Sequence, residues 1–267
     1  MADYKALNYD HEGDIVTIQF DRPDKLNAIN GTMRTELREA AEEAAVSDAR
    51  VVILKGSGRA FSAGVDHDLL REMGEYESDR FRWEYRRHHR MFDEYEHMEK
   101  PVIAAVNGVC AGGGFELALH CDFIVATESA TFGYPEDNIG FIPASGACAK
   151  LSKEVGSFQA KELVLCTGSK GSMVTAEEAH DRFGFVNRVY DDDSFDSDIQ
   201  SFAEDLADTA PLATAVGKKI LTQSQDMAYV AAREFERTGQ SLLAQSQDHE
   251  EGMAAFQENR DPEFEGK

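Results

Sequence analysis

The stretch PVIAAVNGVCAGGGFELALHCD, residues 101–122, decides how the chain is read. Val102–Val106 is a run of β-branched and small apolar residues that reads as a buried strand, and Asn107-Gly108 marks a turn after it. Three consecutive glycines, Gly112, Gly113 and Gly114, lead straight into Phe115-Glu116-Leu117-Ala118-Leu119, a run of good helix formers. A strand therefore feeds a helix through backbone that carries no side chains. The first N–H groups of a helix have no partner within it, and glycine lets a ligand oxygen approach them, so the junction favours a developing negative charge. Glu116 falls in the first turn of that helix and sets a proton-handling carboxyl beside those donors. A plainer interpretation stays open at this point: a glycine-rich turn packed on a neighbouring helix, with Glu116 only a favourable N-terminal charge. Neither G-x-G-x-x-G nor G-x-x-x-x-G-K-[ST] can be read here, so this is not a nucleotide loop of the usual kinds.

Outward from that centre the chain alternates strand and helix. A hairpin is expected over residues 4–20, with Ile15–Phe20 as its second strand. A loop follows at Arg22-Pro23-Asp24-Lys25-Leu26-Asn27-Ala28, then a helix capped by Asn30 with Met33, Leu37, Ala41 and Ala44 at helical spacing. Residues 50–55 read as a strand. Ala60-Phe61-Ser62-Ala63-Gly64-Val65-Asp66 then repeats the theme of strand, glycine and helix start. Residues 79–98 form a long helix with Phe81, Tyr85, His88, Phe92 and Tyr95 along one side. Arg80, Arg82, Arg86, Arg87 and Arg90 give its other side to solvent or a neighbouring subunit, with phosphate binding as the alternative. His88 and His89 are adjacent, so they cannot share a helix face as metal ligands. A strand at residues 123–126, an extended segment from Thr131 to a turn at Pro135-Glu136, a helix start at Thr175-Ala176-Glu177-Glu178 and a last strand over residues 185–190 complete the core. Asp191-Asp192-Asp193 marks a boundary, and residues 194–267 read as a helical region with Pro211 opening one helix.

A chain of 267 residues buries a sizeable core. Its 50 acidic and 27 basic residues leave a formal charge of -23, which argues against nucleic acid or an anionic membrane surface as partner. Spread acidity, with arginine outnumbering lysine, resembles the surfaces of salt-adapted (halophilic) proteins. Cys110, Cys121, Cys148 and Cys166 lack C-x-x-C spacing, so neither a disulfide framework nor a metal site is expected, and mostly buried, reduced thiols are. With no secretory start and no spanning apolar run, a soluble cytoplasmic protein is expected.

Three pieces occur in order: the segment from Ala60 to Asp66; Ala105-Val106-Asn107-Gly108 with Gly112-Gly113-Gly114-Phe115-Glu116-Leu117-Ala118; and Phe132-Gly133-Tyr134-Pro135-Glu136. Together they resemble the crotonase, or enoyl-CoA hydratase/isomerase, superfamily, and the likeness runs from Pro23 to Phe256. The resemblance implies an α/β fold, a spiral of β-β-α units over residues 1–193, with a C-terminal helical oligomerisation region over residues 194–267 that packs homotrimers or homohexamers. It implies acyl-CoA as substrate and no cofactor beyond the coenzyme A that the substrate carries. The amides of Val65 and Gly113 would form an oxyanion hole, each donor contributing about 2.7 to 4 kcal/mol to the transition state. Glu116 and Glu136 match the two catalytic glutamates of the hydratases, Glu116 as base toward water and Glu136 as acid toward the α-carbon, with proximity driving their pKa values apart. Lys25, Leu26 and Ala28 match the loop that lines coenzyme A. Ala63, Val65, Asp66 and His67 match the segment around the adenine and thioester, and Gly112 and Tyr134 complete the expected substrate contacts.

One segment departs from the hydratase pattern: Pro143-Ala144-Ser145-Gly146-Ala147-Cys148-Ala149-Lys150 replaces a glycine-rich run beside the acyl pocket. Both glutamates favour hydration of a trans-2-enoyl-CoA to a 3-hydroxyacyl-CoA. The alternatives are a double-bond isomerase or another acyl-CoA lyase or hydrolase of the superfamily, a noncatalytic acyl-CoA binder, and an RNA-binding member, which the charge opposes.

Overall fold

The computed structural model describes residues 4–168 and 173–267. β1 (Leu7–Glu12) and β2 (Ile15–Phe20) form the expected antiparallel hairpin. α1 (Gly31–Val46) follows, and its N-cap Asn30 accepts the Met33 N–H at 2.9 Å. Three β-β-α units come next. The first is β3 (Val51–Gly56) and β4 (Ala60–Ser62) with α2 (His67–Gly74) and α3 (Ser78–His97). The second is β5 (Val102–Val106), β6 (Val109–Ala111) and α4 (Gly113–Ala118). The third is β7 (Phe123–Thr127) and β8 (Thr131–Gly133), a 3-10 turn at Pro135–Ile139, and α5 (Ala147–Glu154). Then come α6 (Ser157–Cys166), β9 (Val174–Thr175), α7 (Ala176–Glu178), β10 (Arg188–Tyr190), α8 (Phe195–Ala207), α9 (Pro211–Ser224), α10 (Tyr229–Leu243) and α11 (Gln247–Glu258).

The first strand of each unit enters a six-stranded sheet of order β1-β2-β3-β5-β7-β10, and the second enters a four-stranded sheet of order β4-β6-β8-β9. β3, β5 and β7 pair in parallel, as do β4, β6 and β8, so each unit is displaced from the last by one strand and the chain winds as a spiral. The consequence for the site is geometric. Ala63 after β4, Gly112 after β6 and Tyr134 after β8 occupy equivalent places in three successive units.

Both faces of the large sheet are covered, which is why its strands read as continuous apolar runs. Val52, Leu54, Val102, Ala104 and Val106 face the core beneath α1, α3 and the small sheet. The alternate residues Val51, Ile53, Ile103 and Ala105 face Phe195, Ile199, Phe202 and Ala203 of α8. Although the sequence groups α8 with the C-terminal region, its apolar face therefore closes the sheet of the spiral. α9 to α11 carry Leu221, Tyr229, Val230, Leu242 and Phe256 on the outside, all strongly exposed.

Several local expectations shift. The last strand begins at Arg188 rather than Phe185, because the Asn187 side chain accepts the Ile124 N–H at 2.8 Å and takes the place of a ladder bond. β6 and β9 are strands too short to show a period. Thiols are less buried than expected: Cys110 is buried and Cys121 half-buried, but Cys148 and Cys166 sit on outer helix faces and are exposed. Among the described residues no helix is long and apolar enough to cross a membrane.

Candidate active site

The loops that follow β4, β6 and β8 meet at a cavity of about 450 Å³. Ala63, Val65, His67, Gly112, Glu116 and Glu136 all line it. Residues separated by more than 70 positions are thereby joined, because parallel pairing of the small sheet brings the ends of its strands to one edge.

Val65 and Gly113 supply two backbone donors. The Ile29 N–H bonds Gly64 O at 2.8 Å and the Asp66 N–H bonds Ile29 O at 3.0 Å, a bridge that leaves out the Val65 N–H between them. Gly113 is the first residue of α4, where an N–H has no acceptor within the helix. Among the described residues neither amide has a hydrogen-bond acceptor. They are neighbours: a β-carbon on Gly113 would lie 3.5 Å from the Val65 nitrogen. Gly64 makes the approach, since at φ +94 its own β-carbon would come 2.9 Å from Ala111 O and 3.0 Å from Gly113 N.

The two carboxyls differ in their supports. Glu116 is only 2 % exposed, and its Oε1 accepts the Ser145 N–H at 2.5 Å and the Ala147 N–H at 3.3 Å. The segment that departs from the hydratase pattern thus holds this glutamate directly. Glu136 stands in the 3-10 turn after β8, and its Oε2 is buried without a hydrogen-bond partner. Burial raises both carboxyls above the ordinary glutamate value, Glu116 to about 8 and Glu136 to about 7. Proximity was expected to separate the two. Desolvation is instead the main cause for each, and the charge of Glu136 adds to it at Glu116.

Not every residue expected at the site reaches the cavity. Tyr134 is fully buried and stacks on Phe115 with ring centroids 4.8 Å apart. It shares the inward side with Phe132, two residues earlier in the extended chain, and so packs in the core next to the glutamates rather than on the cavity wall. Asp66 caps α2 through the Asp68 N–H at 3.1 Å and pairs with Arg22 at 3.0 Å, so its side chain has a structural task. Lys25, Leu26 and Ala28 lie outside the cavity on the adjoining loop, which is fastened to the site by the Ala63 N–H on Leu26 O at 2.9 Å. Lys25 is exposed and makes no ion pair among the described residues.

Helix α3 contributes more than the sequence suggests. Its C-terminal half packs inward, with the Tyr95 hydroxyl donating to Leu37 O at 2.7 Å. The N-terminal half passes over the cavity and lines it with Phe81, Arg82, Tyr85, Arg86 and His89. The arginine side was expected to face solvent or a neighbour, and all five arginines are exposed, but Arg82 and Arg86 also line the cavity. Helical periodicity identifies two faces but not what lies across from each, and here Ile139, Phe141 and Ile142 stand opposite. His89 Nε2 donates to Ala144 O at 3.1 Å, tying α3 to the segment that holds Glu116.

Residues 10–267 match the family model described as enoyl-CoA hydratase/isomerase. The chain is 35% identical over 254 residues to a 2,3-dehydroadipyl-CoA hydratase of Escherichia coli (strain K12), covering 95% of this chain and 96% of that one. It is 36% identical over 272 residues to a carnitinyl-CoA dehydratase of Salmonella arizonae, covering 98% and 99%. A solved structure of an enoyl-CoA hydratase subunit I from Geobacillus kaustophilus HTA426 superposes with a TM-score of 0.91 at 37% identity, covering 100% of both chains. By sequence over nearly its full length and by its spiral of β-β-α units, the chain belongs to the enoyl-CoA hydratase/isomerase family of crotonase-fold enzymes.

Proposed function

We propose that the protein adds water across the double bond of a trans-2-enoyl-CoA to give the 3-hydroxyacyl-CoA. The observation that carries this reading is two neighbouring unbonded amides, Val65 and Gly113, beside a cavity lined by the buried Glu116 and the half-buried Glu136. The thioester oxygen would accept both N–H groups. Glu116 as carboxylate would take a proton from water as its oxygen bonds to C3, and electron density would move onto the thioester oxygen. Glu136 as carboxylic acid would then give its proton to C2. The two N–H bonds on Glu116 favour its ionised form, whereas the unbonded Oε2 of Glu136 favours a retained proton. Burial works against the first of these, raising Glu116 to about 8 against about 7 for Glu136, so the working state is the one in which Glu116 has given up its proton while Glu136 keeps one.

No step of this chemistry calls for a cofactor besides the coenzyme A of the substrate. Two further elements support the reading. The Escherichia coli relative is named for hydration of an enoyl thioester that ends in a carboxylate, and the Salmonella relative for a dehydration. The exposed apolar residues of α9 to α11 suit subunit contact in a homotrimer or homohexamer. A double-bond isomerase is the second reading, and the presence of two carboxyls on the cavity rather than one favours hydration over it. Crotonyl-CoA decides between them: loss of the conjugated-thioester absorbance with formation of 3-hydroxybutyryl-CoA is expected, and movement of the double bond without water uptake would overturn the assignment.

A further inference from the structure

We propose that the acyl group taken by this site ends in a carboxylate, which Arg82 and Arg86 receive where α3 lines the cavity. The inference deepens the hydratase reading and rests on it for the direction of the ligand. With the thioester oxygen on the Val65 and Gly113 amides and C2 and C3 between the glutamates, the rest of the acyl chain continues along α3. The wall there is apolar. Phe81 and Tyr85 stack with centroids 5.4 Å apart, and Phe141 lies 6.5 Å from Phe81.

Arg82 and Arg86 each follow one of those aromatics by one residue, stand four apart on one helix face, and line the same cavity. Among the described residues neither forms a hydrogen bond, an ion pair or a ring contact. Their neighbours do: Arg80 lies over the Tyr76 ring at 4.0 Å, and Arg87 pairs with Glu84 at 3.2 Å. Arg82 and Arg86 are both exposed at the cavity's rim, so in a chain with 50 acidic and 27 basic residues two guanidiniums without a protein carboxylate stand available to an anionic end of a ligand in that cavity. The planar guanidinium fork matches a carboxylate in two parallel hydrogen bonds.

A coenzyme A phosphate is the other anion in reach of the same chemistry. The loop bearing Lys25, Leu26 and Ala28 joins the site on the opposite side of Val65, through the Leu26–Ala63 and Gly64–Ile29 bonds, and it contributes nothing to the α3 end of the cavity. With the coenzyme along that loop, as the resemblance implies, the arginines on the α3 wall are left to the acyl group.

The test compares binding of two saturated thioesters that cannot be hydrated: the six-carbon acyl-CoA with a terminal carboxylate and hexanoyl-CoA. Calorimetry at one ionic strength gives the ratio of their dissociation constants for the wild type and for the Arg82→Gln/Arg86→Gln double variant, with free coenzyme A as reference. The wild type is expected to favour the carboxylate-ended ligand by about tenfold or more, and the ratio to fall towards one in the variant. A wild-type ratio near one would overturn the proposal, as would a preference that survives in the variant. Equal weakening of both thioesters and of free coenzyme A would assign the arginines to a phosphate instead. Because no turnover is measured, the result stands apart from the crotonyl-CoA assay, which alone tests hydration.

Discussion

Gly112 and Glu136 approach so closely that a β-carbon on Gly112 would lie 2.5 Å from the Glu136 Oε1. The glycine is also held at φ +51, in the left-handed region. Its missing side chain is the space in which the carboxyl sits. Gly112→Ala is therefore expected to displace Glu136 and lower hydration by about 10²-fold, since an error of about 1 Å in a catalytic group has that cost. Crotonyl-CoA kinetics alongside circular dichroism check this, and full activity in a folded variant would show that Glu136 need not occupy that position.

Glu116→Gln and Glu136→Gln are each expected to lower kcat by roughly 10² to 10⁴-fold while acyl-CoA binding changes little, because the amide keeps the shape and loses the proton transfer. A variant at Glu116 that kept wild-type hydration would exclude the two-carboxyl mechanism.

The same Glu116→Gln change should stabilise the protein in alkali. Burial lifts this carboxyl from an ordinary 4.5 to about 8. The folded state thus holds the proton where the unfolded chain has released it, and this contribution to stability is full below about 4.5 and disappears as pH rises towards about 8. Glutamine has no proton to lose. At a pH above both values the variant is expected to be more stable than the wild type by about 2 to 4 kcal/mol, and near pH 4.5 the two should converge. Denaturant titrations at the two pH values measure the difference, and an equal gap at both would point to a cause other than ionisation.

The pH dependence of kcat/KM follows from the pair. Fully protonated, the site lacks a base, and fully ionised, it lacks an acid. The profile is expected to be bell-shaped, with its limbs set by the two carboxyls, raised by burial to about 7 and about 8. A flat rate from pH 5 to about 10 would contradict a mechanism that shares one proton between them.

A formal charge of -23 spread over the chain predicts a requirement for salt. Unscreened carboxylates repel one another in the compact state, and molar salt shortens the screening length to about 3 Å. The melting midpoint is expected to rise between low and molar KCl, and an unchanged or lower midpoint would remove salt adaptation as an explanation of the acidity.

Local chemistry made much of this molecule legible in the sequence. Asn30 caps α1, Pro211 opens α9, and the β-branched runs at residues 51–54 and 102–106 form strands buried on both sides, because capping, fixed φ and apolar patterning act over a few neighbouring residues. Gly112-Gly113-Gly114 before Glu116 likewise announced a helix N-terminus free of side chains beside a carboxyl. Relations between distant residues had to wait for the tertiary structure. Whether the Val65 amide stays free depends on the bridge between Ile29 and Gly64, and whether Glu116 is held depends on Ser145, 29 positions away. Tyr134 turned inward because the strand alternation that places Phe132 against Phe115 carries it there too, and a three-residue strand is too short to show that period in sequence. For Arg82 and Arg86, helical spacing marked their shared exposed face, but only the packing of α3 across the cavity decided that this face also borders the site.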